Sequence, residues 1–280
     1  ETVMKRSLDY PLLMTTLLLV ALGVTMVFSA SGILAEERFG ESVYFLKKEL
    51  LALALGLIGM AVMALVPLSA FRKAVFPLLL TSLILMGLVF IPHFGKEAGG
   101  AFRWIRLGPL SFQPSELAKL ALIFFMAHVL SRKKEKIVGL IPPMVISAVL
   151  IGLVLMGRDL GAGFVMGTTL FLLMFVGGVK PSYLVSEILL ALPVLYYLVA
   201  SVPYRRRRIL AFLNPWAHKR EEGFQIIQSY VAFHVGGLFG QGLGEGKQKL
   251  FYLPEAHTDF IFSVIGEELG LLGTLAVLGL

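Results

Sequence analysis

The sequence predicts an all-α polytopic membrane protein, on three observations. Hydrophobic residues make up 57% of the 280-residue chain and charged residues only 15%. Mean hydropathy is +0.84, far from that of a soluble domain. Apolar runs recur at the length of a membrane span, with short polar breaks between them. One membrane domain, residues 1–280, is therefore expected.

A hydrocarbon core roughly 30 Å thick takes about 20 apolar residues of helix. On that measure eight helices are expected, at 11–34, 49–66, 74–91, 115–131, 138–156, 160–179, 184–202 and 258–280. The first run is too long for the core of a signal peptide and no cleavage site follows it, so it reads as a retained anchor. The last reaches Leu280 without a polar tail, the pattern expected of a chain that continues.

Orientation follows from the basic residues. With the N-terminus inside, Lys5, Arg6, Arg72, Lys73, Arg132, Lys133, Lys134, Lys136 and Lys180 all fall on cytoplasmic segments, as the positive-inside rule requires. The same parity makes 203–257 a large extracytoplasmic loop, although it carries Arg205, Arg206, Arg207, Arg208, Lys219, Arg220, Lys247 and Lys249. Long loops translocate largely regardless of charge, so this surplus does nothing for topology. It suits an anionic ligand instead: a phosphate, a pyrophosphate or a lipid headgroup.

Within that loop Phe224 to Val235 is apolar on one side and carries Gln225 and Gln228 on the other. It is too short to span but fits an interfacial or re-entrant helix. The glycine-rich stretch Gly236 to Gly246 lacks the Walker spacing and the Ser or Thr that would follow Gly246-Lys247, which excludes a nucleotide-binding P-loop. Such a turn either aims backbone N–H groups at an anion or simply packs at the membrane surface.

Chemistry is constrained by what is missing and where the acids lie. There are no cysteines, which removes disulfides, thiolate metal sites and cysteine nucleophiles, and the five histidines form no HExxH pair. The chain holds three aspartates, Asp9, Asp159 and Asp259, the last two at the ends of apolar helices, where ionisable groups are costly. Asp259 is either a cap of the last helix, with Thr258 a candidate N-cap beside it, or a part-buried general base tuned by His257 and Glu255. Glu116 and Lys119 stand three apart on one helix face and are expected to pair. Arg103 flanks Trp104 just before that helix, and Arg158 adjoins Asp159. By parity Arg103, Glu116, Lys119, Asp159, Arg205 to Arg208 and Asp259 share the outer side. Glu267 and Glu268 lie deeper in the last helix, facing protein or water.

These residues carry a family resemblance. Pro254-Glu-Ala-His-Thr-Asp-Phe-Ile-Phe262 with Gly266-Glu-Glu-Leu-Gly270 resembles the SEDS proteins, the shape, elongation, division and sporulation glycosyltransferases. The likeness extends to Arg103-Trp-Ile105, Gln113-Pro-Ser-Glu-Leu-Ala-Lys119, Gly157-Arg-Asp-Leu-Gly161 and Arg207 to Trp216, and is nearer the division member than the elongation member.

The resemblance implies a bundle of ten transmembrane helices, two more than are expected here. It also implies polymerisation of lipid II into glycan strands with release of undecaprenyl pyrophosphate, with Asp259 as the catalytic residue. A divalent cation (Mg or Mn) and a class B penicillin-binding protein, the transpeptidase, are the implied cofactor and partner, at the division septum of the bacterial inner membrane. Arg103, Glu116, Lys119, Asp159, Arg205, Arg206, Arg207, Arg208 and His257 are substrate-binding or supporting candidates. A lipid II flippase is the alternative from another class, and a scaffold for the transpeptidase a third. A flippase needs charge near the midplane and on both sides, whereas the charges here cluster toward the outer face.

Overall fold

The computed structural model describes residues 9–91, 94–98, 101–107, 110–132, 140–219, 223–250 and 252–280. Of the basic residues used for orientation, Lys5, Arg6, Lys133, Lys134, Lys136 and Arg220 lie outside that set. The elements run α1 (Tyr10–Phe39), α2 (Tyr44–Leu65), α3 (Leu68–Leu88), β1 (Gly95–Ala98), β2 (Ala101–Leu107), β3 (Leu110–Phe112), α4 (Pro114–Arg132), α5 (Ile141–Met156), α6 (Leu160–Val176) and α7 (Pro181–Ala200). They continue with α8 (Pro203–Leu213), a 3-10 turn at Pro215–His218, α9 (Gly223–Gly236) and α10 (Ile261–Gly279).

Six helices, α1, α2, α3, α4, α7 and α10, are long and apolar enough to cross a membrane, and α5 and α6 are shorter apolar helices. Their apolar side chains are outward-facing as well as inward-facing. None of α2 is buried, and it presents Leu51, Leu55 and Ile58 outward. That distribution belongs to helices solvated by lipid, since only helices and closed barrels satisfy their own backbone there.

The expected all-α class needs one correction: residues between α3 and α4 form a three-stranded antiparallel sheet in the order β1-β2-β3. Ala98 pairs with Ala101, Ile105 with both Gly95 and Phe112. Ala101 to Leu107 alternates Phe102 and Trp104 with Arg103 and Ile105, the period of a strand. A search for span-length apolar runs passes over strands of this length. The expected loop 203–257 is likewise built of structure, holding α8, the 3-10 turn and α9.

Contacts group the chain into two compact units, residues 64–201 and residues 1–63 with 202–280. In the first, α3, α4, α5, α6 and α7 enclose a core of Val75, Leu79, Leu122, Phe125, Met126, Leu150, Met166, Leu170 and Met174. In the second, α10 packs on α9 and α1, and Met26, Ala30, Leu253, Ala256, Val264 and Ile265 form the core.

The packing of α9 on α10 depends on glycine. A Cβ at Gly236 would lie 2.0 Å from the Gly266 carbonyl oxygen, so only a bare backbone fits there. Gly236→Ala should therefore lower stability by about 1–3 kcal/mol through overpacking, read as a lower thermal midpoint of the detergent-solubilised protein. Gly167→Ala in α6, where a Cβ meets nothing within 4 Å, should leave it unchanged or higher. Equal midpoints for the two variants would contradict this packing.

Candidate functional site

All three aspartates stand just before a helix, and they are not used alike. Asp9 accepts from the Leu12 N–H at 3.2 Å and caps α1, and Asp159 accepts from the Ala162 N–H at 3.0 Å and caps α6. Asp259 caps nothing. The N-cap of α10 is Phe260, which makes no side-chain cap bond, and the Ser263 and Val264 N–H groups donate to the Phe260 carbonyl. Among the described residues no hydrogen bond or ion pair engages the Asp259 carboxylate, and the residue is exposed, not part-buried. The expectation of a cap at Thr258 also fails: its hydroxyl donates to the Glu255 carbonyl and to Glu255 Oε2.

The turn bearing Asp259 is tightly specified. Glu255 has φ of 53°, rare and costly for a residue with a Cβ. Its carbonyl accepts from both the Thr258 and Phe260 N–H groups, so the chain doubles back across Asp259. Leu253 and Ala256 anchor the same turn in the core, and the His257 ring packs 5.0 Å from that of Phe45.

Preceding this turn, N–H groups at the end of the glycine-rich stretch and just beyond it face anions, and the anions are the protein's own. The Gly244 N–H donates to Glu268 Oε2 at 3.0 Å, and the Lys247 and Gln248 N–H groups to Glu267 Oε1 at 2.8 and 3.3 Å. Glu267 is 0% exposed and Glu268 1%. Lys249 Nζ lies 2.6 Å from Glu268 Oε1 and also donates to the Gly244 carbonyl and to Ser29 Oγ of α1. A Cβ at Gly246 would sit 3.0 Å from both carboxylates, which is why a glycine occupies that position.

The arginine run lies on α8, in the same unit. Arg206, Arg207 and Arg208 are exposed, and the Arg208 guanidinium rests 4.9 Å from the centre of the Tyr204 ring. Phe212, Leu213 and Trp216 follow with exposed apolar surface, as suits a segment at a headgroup boundary.

The other candidates belong to the unit of residues 64–201. There the end of α3, the start of α4, the end of α5 and the start of α6 meet beneath β2. A small pocket between them is lined by Met86, Val89, Phe102, Arg103, Ser115, Val154 and Asp159. Asp159 is buried, and its second oxygen accepts from Gln113 Nε2 at 3.1 Å, which also reaches Ser115 Oγ. Arg103 Nε is buried in this region without a hydrogen-bond partner among the described residues. Arg158, immediately before Asp159, has φ of 63°, and a Cβ at Gly157 would meet the Phe102 carbonyl at 2.7 Å. Glu116 and Lys119 pair as expected, at 2.8 Å. Arg103 and Asp159 thus share one pocket, while Asp259, His257 and Arg205 to Arg208 lie in the other unit.

A family model described as cell cycle protein, covering FtsW, RodA and SpoVE, matches residues 10–280. The chain belongs to this family. Similar relatives include the probable peptidoglycan glycosyltransferase FtsW of Geobacter metallireducens, 48% identical over 96% of this chain and 73% of that protein. That of Coxiella burnetii is 41% identical over 98% of this chain and 75% of its own length. Among solved structures, a peptidoglycan synthase complex that coordinates polymerisation and crosslinking matches with TM-score 0.76 at 29% identity, covering 98% of this chain and 75% of that one. The rod shape determining protein RodA of Thermus thermophilus matches with TM-score 0.66 at 27% identity, covering 98% and 71%. The chain is therefore a multi-pass membrane protein of the FtsW, RodA and SpoVE type, and the resemblance read from its motifs is shown.

In this family member several contacts that structure the candidate residues are not readable from the sequence. Lys249, Ser29 and Gln113 carry ordinary side chains in ordinary contexts, and their partners are distant in the chain. Glu187 of α7 is a half-buried carboxylate with Oε2 unpartnered among the described residues, and a lone acid in an apolar helix is its signal in the sequence. No three of His, Asp and Glu among the described residues gather as metal ligands.

The capping role of Asp159 makes a graded prediction. Asp159→Ala should cost about 0.5–2 kcal/mol of stability, and Asp159→Asn much less, because asparagine caps nearly as well. Thermal unfolding of the purified protein measures both; an equal loss would mean that the negative charge, not the cap, holds the pocket.

Proposed function

We propose that this chain is a peptidoglycan glycosyltransferase that polymerises lipid II, with Asp259 as general base. The observation that carries the residue assignment is the contrast among the three aspartates. Two carboxylates are consumed by helix caps, and the third is held on a strained, core-anchored turn with no partner of its own among the described residues. A carboxylate so placed is free to accept a proton from a substrate hydroxyl.

The reaction balances as an inverting displacement. The acceptor sugar hydroxyl attacks the anomeric carbon of the lipid-linked donor, the hydroxyl proton passes to Asp259, the bond from that carbon to the diphosphate oxygen breaks, and undecaprenyl pyrophosphate leaves. Arg205 to Arg208 provide cations for the diphosphate within the same unit, and His257 shapes the turn from its place on Phe45. Arg103, Asp159, Glu116 and Lys119 are assigned supporting roles in their own unit, Arg103 by a guanidinium nitrogen left unpartnered in the pocket. A divalent cation, magnesium or manganese, fits this reading as a counter-ion carried by the substrate diphosphate.

The setting follows the same reading. α1 to α7 and α10 make eight spanning helices, with Asp259 on the extracytoplasmic side of the bacterial inner membrane. Likeness to FtsW relatives supports septal synthesis, and likeness to a synthase complex supports a class B penicillin-binding protein as partner. The flippase alternative loses support because the buried charges of Lys249 and Glu268 are paired with each other within the fold.

Labelled lipid II, supplied to the full-length protein with its transpeptidase partner and divalent cation, tests the proposal. The parent should form glycan strands, and Asp259→Asn should lower the rate by about 10²–10⁴-fold, the usual contribution of a general base. A folded Asp259→Asn protein that polymerises at the parental rate would remove Asp259 from the chemistry. A parent that moves lipid II across vesicles without joining it would turn the reading to transport.

A further inference from the structure

Glu267 and Glu268 of α10 form a buried cluster with Lys249 of the segment before it. We propose that Glu267, Glu268 and Lys249 are positioning residues for Asp259, holding through backbone contacts the turn on which the base is presented; this rests on the reading of Asp259 as that base.

A continuous path of short contacts joins the cluster to the turn. Glu267 accepts the Gln248 N–H, and the Gln248 carbonyl accepts the Leu253 N–H at 2.8 Å. Leu253 is buried against Val264 and Ile265 of α10. Two residues on, the Glu255 carbonyl gathers the Thr258 and Phe260 N–H groups around Asp259. The Asp259 turn therefore has anchors on both sides: α10 follows it, and the carboxylates projecting from α10 hold the segment that precedes it.

The choice of charged groups has a physical reason. Three donors need acceptors at one place, the N–H groups of Gly244, Lys247 and Gln248, and carboxylates are the acceptors that satisfy several donors at once. Two buried carboxylates without a cation would be costly, and Lys249 supplies the cation from within the same segment. Ser29 closes the arrangement, donating to Glu268 Oε1 and Oε2 at 2.8 Å and tying α1 to the cluster.

The test uses the absence of cysteine from the chain, so that Tyr252→Cys, at an exposed site in the held segment, takes a single nitroxide label. Glu267→Gln and the neutral pair Lys249→Met with Glu268→Gln are compared with the parent for thermal midpoint, nitroxide mobility, and kcat and KM on lipid II. In the folded variants the nitroxide should become more mobile and kcat should fall about tenfold or more with KM within about twofold, since a misplaced base costs rate and not binding. Parental kcat in a folded variant overturns the proposal, and so does a fall in kcat with unchanged nitroxide mobility.

Should both variants fail to fold, Ser29→Ala, which leaves the ion pair in place, should shift mobility and kcat in the same direction by a smaller factor; no shift in either overturns the proposal. Asp259→Asn keeps the parental nitroxide signal while losing polymerisation. If the parent itself does not polymerise, the glycosyltransferase reading fails, and unchanged nitroxide mobility in the variants still decides against the anchoring.

Discussion

The unit that carries Asp259 depends on how a broken helix is satisfied. α10 is interrupted at Gly270, whose φ of 68° and ψ of −167° are not helical. In lipid an unpaired backbone group costs several kcal/mol, so a break is tolerated only where protein meets it. The glycine-rich segment after α9 does this: the Leu271 and Leu272 N–H groups donate to the Gly237 and Leu238 carbonyls, and the Gln241 and Gly242 N–H groups to the Glu267 and Glu268 carbonyls. Glycine is needed at the crossing because a Cβ at Gly240 would lie 2.1 Å from the Glu268 carbonyl oxygen. Side-chain carboxylates then extend the backbone exchange by one more layer, to Gly244, Lys247 and Gln248.

The other unit solves a similar problem with one carboxylate and an amide. Where four helices end together beneath β2, the orphan N–H groups at the start of α6 meet Asp159, and Asp159 is held by the Gln113 amide. The turn is compact because Gly157 admits the Phe102 carbonyl and Arg158 accepts a left-handed backbone. Among the described residues, left-handed backbone at a non-glycine residue occurs in the turns leading to an aspartate, at Arg158 and at Glu255, which is where function and strain tend to coincide. The fates of the two aspartates differ because Ala162 N–H is available to Asp159 whereas the first turn of α10 is served by the Phe260 carbonyl.

Read along the sequence, the apolar helices, the short helix at Phe224 to Val235 and the Glu116–Lys119 pair are all legible, since each depends on spacing within one segment. Family membership was legible too, in motifs that are contiguous. The sheet was not, because its strands are too short for a span-length pattern. Nor was the meaning of the glycine-rich stretch: its residues fit an anion-facing turn and a surface-packed one equally, and the carboxylates it meets, Glu267 and Glu268, come some twenty residues later.

By itself the sequence determined the solvent and the kind of element: lipid around a succession of apolar helices, and the residue types able to do chemistry. These are local properties, set by hydropathy and period along the chain. The tertiary structure alone decided which aspartate is a cap and which is left unpartnered, and that Lys249, Ser29 and Glu268 form one cluster across more than two hundred residues. Hydrogen bonds and buried charges are satisfied by whatever the fold brings within about 3 Å, and that proximity has no signature in sequence spacing.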